Sequence, residues 1–316
     1  MTSKPLRYAI SRLARVTVAL LGILLVASQF GGLHFALDNL SNFPVHFAAA
    51  FLVCAAALAK FGDRRFALVS LTGLAIALVP VVPWYFGGTT QEPQPGATPV
   101  KLFVSNVYFR NRQHARLLRL IDRERPDVVG LVEVNSRWLR KVARLRADYP
   151  YHFEIPDEAI VGLALYSKLP LTNARILHTG DAGTPAIAAT MATADGEVEI
   201  ILAHPMSPLD TEHVRRRNAQ LRALGDYVAG LDRPVVIAGD LNSTMWNRNY
   251  REFAERGGLH NARAGHGIGP TWPSIWPLGV PIDHILATEP VRLGNFRVLE
   301  SVGSDHLPVS AVFSLR

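Results

Sequence analysis

Apolar residues are spread unevenly along the chain. Before residue 90 three segments, 16–37, 44–61 and 66–86, are almost free of charge. Each approaches the ~20 residues that cross a ~30 Å hydrocarbon core, and none carries the polar stripe of an amphipathic surface helix. The pattern predicts three transmembrane helices within residues 1–86. For the first segment alone, preceded by Lys4, Arg7, Arg12 and Arg15, a cleaved signal peptide is the competing reading. The first loop carries only Asp38 and the second carries Lys60, Arg64 and Arg65. Basic flanks stay inside, so the N-terminus is expected inside and everything after residue 86 outside. In a bacterium this describes a multi-pass protein of the inner (plasma) membrane, with its remaining domain periplasmic or extracellular.

Residues 87–98 are rich in glycine, proline and threonine and have no apolar period, as expected of a short linker. From residue 99 to 316 the pattern changes to short apolar runs alternating with amphipathic stretches. Strands are expected at 100–105, 127–132, 162–167, 186–192, 197–203, 234–238 and 307–313. Helices are expected at 113–125, 136–147 and 210–229. Crossovers mixed with hairpin-like pairs argue for an α/β domain of two packed mixed β-sheets with helices outside, a four-layer sandwich.

Composition sharpens this division. Mean hydropathy is +0.15, high for a wholly soluble chain. Up to residue 96 there are seven basic and three acidic side chains, net +4 of the formal +7; the remainder carries only +3. Much of the positive charge is therefore a topology signal, and a broad nucleic-acid groove is not implied. Arg137, Arg140, Lys141 and Arg144 still form a local cationic cluster, whose plainest reading is a solvated helix face. The sole cysteine, Cys54, lies in the second apolar segment, so the domain has no thiol for catalysis or disulfides.

The polar residues that close the apolar runs carry the chemistry. Asn106, Glu133, His204, Asp240, Asn242, Asp283, Asp305 and His306 all stand where a strand is expected to stop. Singly, each is an ordinary turn or cap residue; together they are a set of carboxylates, amides and imidazoles that rigid strands could deliver to one place. There is no Gly-x-Ser-x-Gly elbow and no Walker loop, which removes the commonest acyl-transfer and nucleotide-triphosphate arrangements. Hard oxygen donors without thiols favour magnesium or manganese over zinc.

Ser105-Asn106-Val107, Glu133, His204 before Pro205, Gly239-Asp240-Leu241-Asn242, Ile282-Asp283-His284-Ile285 and Ser304-Asp305-His306-Leu307-Pro308 occur in that order. In this the domain resembles the endonuclease/exonuclease/phosphatase superfamily, the deoxyribonuclease I-like phosphoesterases. With its apolar front end it is similar to a membrane-anchored bacterial subgroup, the YafD-like proteins. The resemblance implies hydrolysis of a phosphodiester or phosphomonoester by metal-assisted attack of water. Glu133 would hold Mg2+, with Mn2+ as a substitute, and Asn106 and Asp305 would stand beside it. Asp240 would activate the water, Asn242 and His204 would donate to phosphate oxygens, and His306 would do so with Asp283 behind it.

Two departures qualify the resemblance. Tyr108 stands where abasic-site endonucleases have an aspartate, and Ala159-Ile160-Val161 stands where they have a tyrosine before the Gly162 segment. Both tilt the expectation away from DNA repair. Arg217, Gln220 and Trp272 are further candidates for substrate contact, with Trp276 near the last; His284 should face away from Asp283 and be structural. Expected partners are a phosphate-ester substrate and membrane lipids, with nucleic acid as an alternative substrate, and no protein partner is expected. A catalytically inactive tethered binding domain is the competing class.

Overall fold

The computed structural model describes residues 4–86, 96–179, 184–275 and 277–315. The chain divides into two compact units, Met1–Pro83 with Trp246–Arg248, and Trp84–Met245 with Asn249–Arg316.

The first unit is helical. Helix α1 spans Lys4–Ala27 and continues as a tight turn to Phe30, followed by α2 (Phe35–Leu40), α3 (Pro44–Lys60) and α4 (Arg64–Leu78). Phe47, Phe51, Leu58, Ala67 and Ala77 pack with Ala14 and Val18. A methyl at Gly73 would lie 2.5 Å from the Phe51 ring, so close packing of α3 on α4 requires glycine there. Three crossings were expected; among the described residues one helix, Lys4–Phe30, is long and apolar enough to cross a membrane. The expected boundaries fail for local reasons. The basic residues Lys4, Arg7, Arg12 and Arg15 sit inside α1 rather than ahead of it, and Gly31-Gly32 ends the first apolar run. Gly62, with φ +90°, ends α3 after 17 residues, and α4 stops at 15 before Pro80. At 1.5 Å per residue α3 and α4 rise about 26 and 23 Å, short of a ~30 Å core.

The first strand of the second unit follows the turn-rich segment; of that expected linker, 87–95 lie outside the described residues. Two six-stranded mixed sheets form it. Its strands are β1 (Val100–Asn106), β2 (Val128–Val132), β3 (Tyr151–Ile155), β4 (Leu163–Ser167), β5 (Leu171–His178), β6 (Pro185–Thr193), β7 (Gly196–Ala203), β8 (Val235–Asp240), β9 (Leu259–Asn261), β10 (Asp283–Thr288), β11 (Val291–Val298) and β12 (Val309–Leu315). One sheet runs β11-β12-β1-β2-β4-β3 and the other β5-β6-β7-β8-β10-β9. Their inner faces meet through Leu102, Val104, Val132, Leu202, Val236, Ala238 and Ile285. Gly130 lets Leu202 of the opposite sheet approach, since a methyl there would stand 2.8 Å from its Cδ1. Outside the first sheet, α5 (His114–Glu124), α6 (Ser136–Val142) and α7 (Leu145–Asp148) bury Leu117, Leu120, Ile121, Trp138 and Leu145 against Phe103, Val129 and Leu131. The helix expected over 136–147 is thus two pieces. Helices α8 (Thr211–Ala229) and α9 (Arg248–Arg256) belong to the other flank, where Tyr227 of α8 donates to Glu199 of β7 at 3.2 Å.

Register decides what this scaffold presents. β1 and β2 are parallel, with Asn106 opposite Val132, so both strands end at one edge. β7 and β8 are likewise parallel, and Asp240 faces Asp283 across the antiparallel β8-β10 pair. The C-terminal ends of β1, β2, β7 and β8 and the start of β10 therefore deliver their next residues together.

Candidate active site

Asn106, fully buried, is the hinge of the cluster. Its Oδ1 accepts the Tyr108 amide at 3.0 Å, which turns Nδ2 toward Glu133 Oε1 at 2.8 Å and Asp240 Oδ2 at 3.0 Å. One amide thus bridges carboxylates from the two sheets. Sharp reversals place these side chains: Tyr108, Glu133 and Asn242 have φ of 55°, 61° and 49°. Left-handed backbone at a non-glycine residue costs of order 1–3 kcal/mol, and it clusters where function demands a particular aim. Gly239 has φ 144°, and a Cβ there would lie 1.9 Å from the Ala203 carbonyl oxygen, so only glycine lets β8 hand Asp240 to the edge beside His204.

Asp240 is almost wholly buried and surrounded by donors. Its Oδ1 accepts the Asn242 amide at 2.9 Å, and Oδ2 lies 3.5 Å from both His204 Nε2 and His306 Nε2. Burial alone would raise its pKa, but the two imidazoles hold it down at about 2. His306 stands between two acids, with Nδ1 2.9 Å from Asp283 Oδ2 and Nε2 facing Asp240. Burial opposes its charge, yet Asp283 and Asp240 push its pKa up to about 10, which favours an imidazolium whose Nδ1 donates to Asp283. His204 donates from Nδ1 to the Ile160 carbonyl at 2.9 Å, leaving Nε2 toward Asp240 and 4.0 Å from Glu133 Oε1. Burial would lower its pKa; Asp240 and Glu133 raise it. Glu133 keeps a raised pKa because burial outweighs the help from His204 and Asn106.

The remaining expected residues divide between rim and support. Asn242 donates from Nδ2 to the Pro205 carbonyl at 2.9 Å, tying the Asp240 turn to the His204 loop. Asp305 is exposed, and its Oδ2 accepts from Trp272 Nε1 at 3.2 Å; the Trp272 ring lies 6.3 Å from that of His306. Arg217 and Gln220 are fully buried and do not enter the cluster. Arg217 donates to the Asn242 carbonyl at 3.0 Å, and Gln220 bonds Thr184. His284 points away from Asp283, between the Ser243 carbonyl (2.9 Å) and Asn261 Nδ2 (3.0 Å). Trp276 lies outside the described residues.

Three supports were not anticipated. Phe109 N approaches Glu133 Oε2 at 3.4 Å. Thr271 Oγ1 accepts from the Asp283 amide at 3.3 Å. Arg263, fully buried, donates to the Asp283 carbonyl at 2.7 Å and to the carbonyls of Ile268 and Gly269 at 2.6 and 2.5 Å. Thr271 directly precedes Trp272, so its place beside a candidate residue is its only sequence signal. Arg263 gives no signal, because a lone arginine between short segments reads as surface.

A buried group of Asp240, Asp283 and His306 offers ligand atoms all within 4.8 Å of one another. The Asp283 and His306 atoms of this group are already bonded to each other, at 2.9 Å.

The profile of the Endonuclease/Exonuclease/phosphatase family matches residues 104–306, well over half of the chain. The protein belongs to this family. By that membership it is a metal-dependent hydrolase of phosphoester bonds. Solved structures of similar fold include D. rerio TDP2 complexed with single-strand DNA product, 17% identical, TM-score 0.57, covering 68% of this chain and 99% of that one. The human Nocturnin catalytic domain with bound sulfate is 20% identical, TM-score 0.56, covering 69% and 95%. An endonuclease/exonuclease/phosphatase from Beutenbergia cavernae is 20% identical, TM-score 0.54, covering 69% and 72%. At these identities the likeness is one of fold. No curated protein sequence matches.

Proposed function

We propose that the protein is a membrane-anchored, Mg2+-dependent phosphoesterase acting on a phosphodiester or phosphomonoester. The observation that carries this reading is the meeting of Asn106, Glu133, His204 and Asp240, from four strand ends, with His306 from the loop before β12. Glu133 would hold the ion, with Asp305 at the rim and Asn106 orienting the carboxylate; the donors are hard oxygens, which suits Mg2+ or Mn2+. Bound there, the ion would draw negative charge off the phosphoryl oxygens.

The chain's own groups supply the rest. Asp240, held ionised, orients the attacking water and receives its proton as the bond to phosphorus forms. His306 presents a fixed N–H to a non-bridging oxygen, where charge grows, and Asp283 keeps that imidazolium in place. The second amide hydrogen of Asn242 is available for the same purpose. His204 has a neutral carbonyl rather than a carboxylate behind its Nδ1. It is therefore the better donor to the leaving oxygen.

The helical unit supports anchoring. Leu13, Ile23, Val53 and Leu68 are 64–69% exposed on its helices, an outward apolar surface suited to lipid rather than water. Any odd number of crossings, one included, puts the catalytic unit opposite the basic N-terminus, outside the cytoplasm. A C-terminal alkaline phosphatase fusion should be active; activity only of a cytoplasmic reporter there reverses the orientation.

Turnover of bis-p-nitrophenyl phosphate by the full chain in detergent with Mg2+ tests the chemistry. Glu133→Gln and His306→Ala should each lower kcat by about 10²–10³-fold, the range for removing one charge-stabilising group. Equal rates in wild type and both variants would exclude this site.

A further inference from the structure

A row of arginines leaves the catalytic rim and runs along α5. Arg116, Arg119 and Arg123 recur at intervals of three and four residues on α5, so they share one helix face, with about 5–6 Å between neighbouring Cβ atoms, and Arg112 stands in the loop two residues before the helix. All four are exposed, as is Arg110 in the preceding loop. Arg123 is paired with Glu300 at 2.9 Å. Arg110, Arg112, Arg116 and Arg119 have no carboxylate partner among the described residues, whereas the α8 arginines Arg215 and Arg216 both bind Glu212 at 2.7 Å. An ordinary solvated helix face disposes of its cations as α8 does. The α5 row does not.

The row also has a direction and a wall. Arg110 follows Phe109, whose amide approaches Glu133, and its guanidinium stacks 5.1 Å from the Phe109 ring. The loop between β1 and α5 is fastened to the segment before the Ser304-Asp305-His306 box, since Asn111 Nδ2 donates to the Val302 carbonyl at 3.2 Å. Farther along, Arg116, Arg119, Asp122 and Arg123 face Glu300 and Ser301 across an open depression of about 690 Å³. The loop arginines that follow Phe109 and the α5 arginines at the depression thus succeed one another along the chain, starting from the residue whose amide approaches Glu133.

We propose that this row of arginines is an accessory site for a single polynucleotide strand, whose phosphates lie on Arg112, Arg116 and Arg119 and whose end enters the catalytic cluster past Arg110. The inference rests on the phosphoesterase reading and names its substrate class. Arginine, rather than lysine, at every position fits bidentate capture of phosphate oxygens. One cation per helical turn, in file, suits a linear polyanion; a lipid surface would be met by cations spread over a flat face.

The test is binding of a fluorescent dT20 strand to the full chain in zwitterionic nanodiscs, in EDTA so that no turnover occurs, titrated from 50 to 300 mM salt. Arg116→Gln/Arg119→Gln should weaken binding at least tenfold at 100 mM salt. It should also flatten the plot of log Kd against log salt by about 1.4, since each phosphate contact on a single strand contributes about 0.7. Arg215→Gln/Arg216→Gln on α8 should change neither quantity. Turnover of bis-p-nitrophenyl phosphate with Mg2+ should be the same in all three proteins, and its loss in wild type would indict the phosphoesterase reading instead. An unchanged salt slope in the α5 variant overturns the accessory site. So does a defect confined to binding of phosphatidylglycerol vesicles, which would make the row a membrane contact.

Discussion

Among individual residues, the division of labour follows from what each side chain already bonds. His306 has acids on both nitrogens and Asp240 has donors on both oxygens, so neither is free to rotate before substrate arrives. Asp283 is the least replaceable support: its Oδ2 holds His306 Nδ1, while Thr271 and Arg263 hold its backbone amide and carbonyl. Asp283→Asn would keep the shape but remove the charge that favours the imidazolium, and its NH2 would compete with the Nδ1 proton. The expected result is a fall in kcat of about 10²–10⁴-fold with KM changed less than threefold, within the usual range for acid–base groups. A rise in KM with kcat preserved would mean that Asp283 serves substrate binding instead.

Secondary-structure elements show what was legible before the fold was known. The strands that carry Asn106, Glu133, His204 and Asp240 are predominantly apolar runs closed by a polar residue, so they read clearly, within about two residues of their observed ends. The two-sheet architecture followed from their mixed order. Strands β3, β5 and β11 did not read, because they lie at or near sheet edges and their faces mix exposed and buried positions; β5 and β11 also contain register shifts, with Asn173 and Asn295 left-handed. The membrane helices were overcounted for a related reason. Hydropathy reports burial from water but cannot tell lipid from a helix partner, and α3 is apolar on both counts: Phe51 and Leu58 face neighbours while Val53 is exposed. Arg217 and Gln220 illustrate the converse error that a polar spacing invites. Their i, i+3 placement was legible, but only packing reveals that they turn inward and act on Asn242 and Thr184.

For the molecule as a whole, burying imidazoles makes folding depend on acidity. His284 has no exposed surface, donates from Nε2 to the Ser243 carbonyl and accepts from Asn261 at Nδ1. Burial, reinforced by Arg263, lowers its pKa to about 3, against an ordinary 6.5. Burial lowers that of His260 as well. Below pH 6.5 the unfolded chain therefore takes up protons that the folded chain refuses. Since stability changes with pH as the unfolded-minus-folded proton count, the part of it that these two histidines contribute falls as pH drops from 6.5 toward 3, while Glu133 and Asp283, whose pKa values are raised, act in the opposite sense. His306 does not oppose this, because a raised pKa leaves it protonated in both states throughout that window. His284 alone should cost about 2–3 kcal/mol by pH 4.5, at about 1.4 kcal/mol per pH unit. Thermal melting of the full chain between pH 7.5 and 4.5 should show this decline, and His284→Gln, which can still donate to Ser243, should show a shallower one. Parallel slopes in the two proteins would mean that acid acts through other groups and that the folded protein accommodates a charged His284.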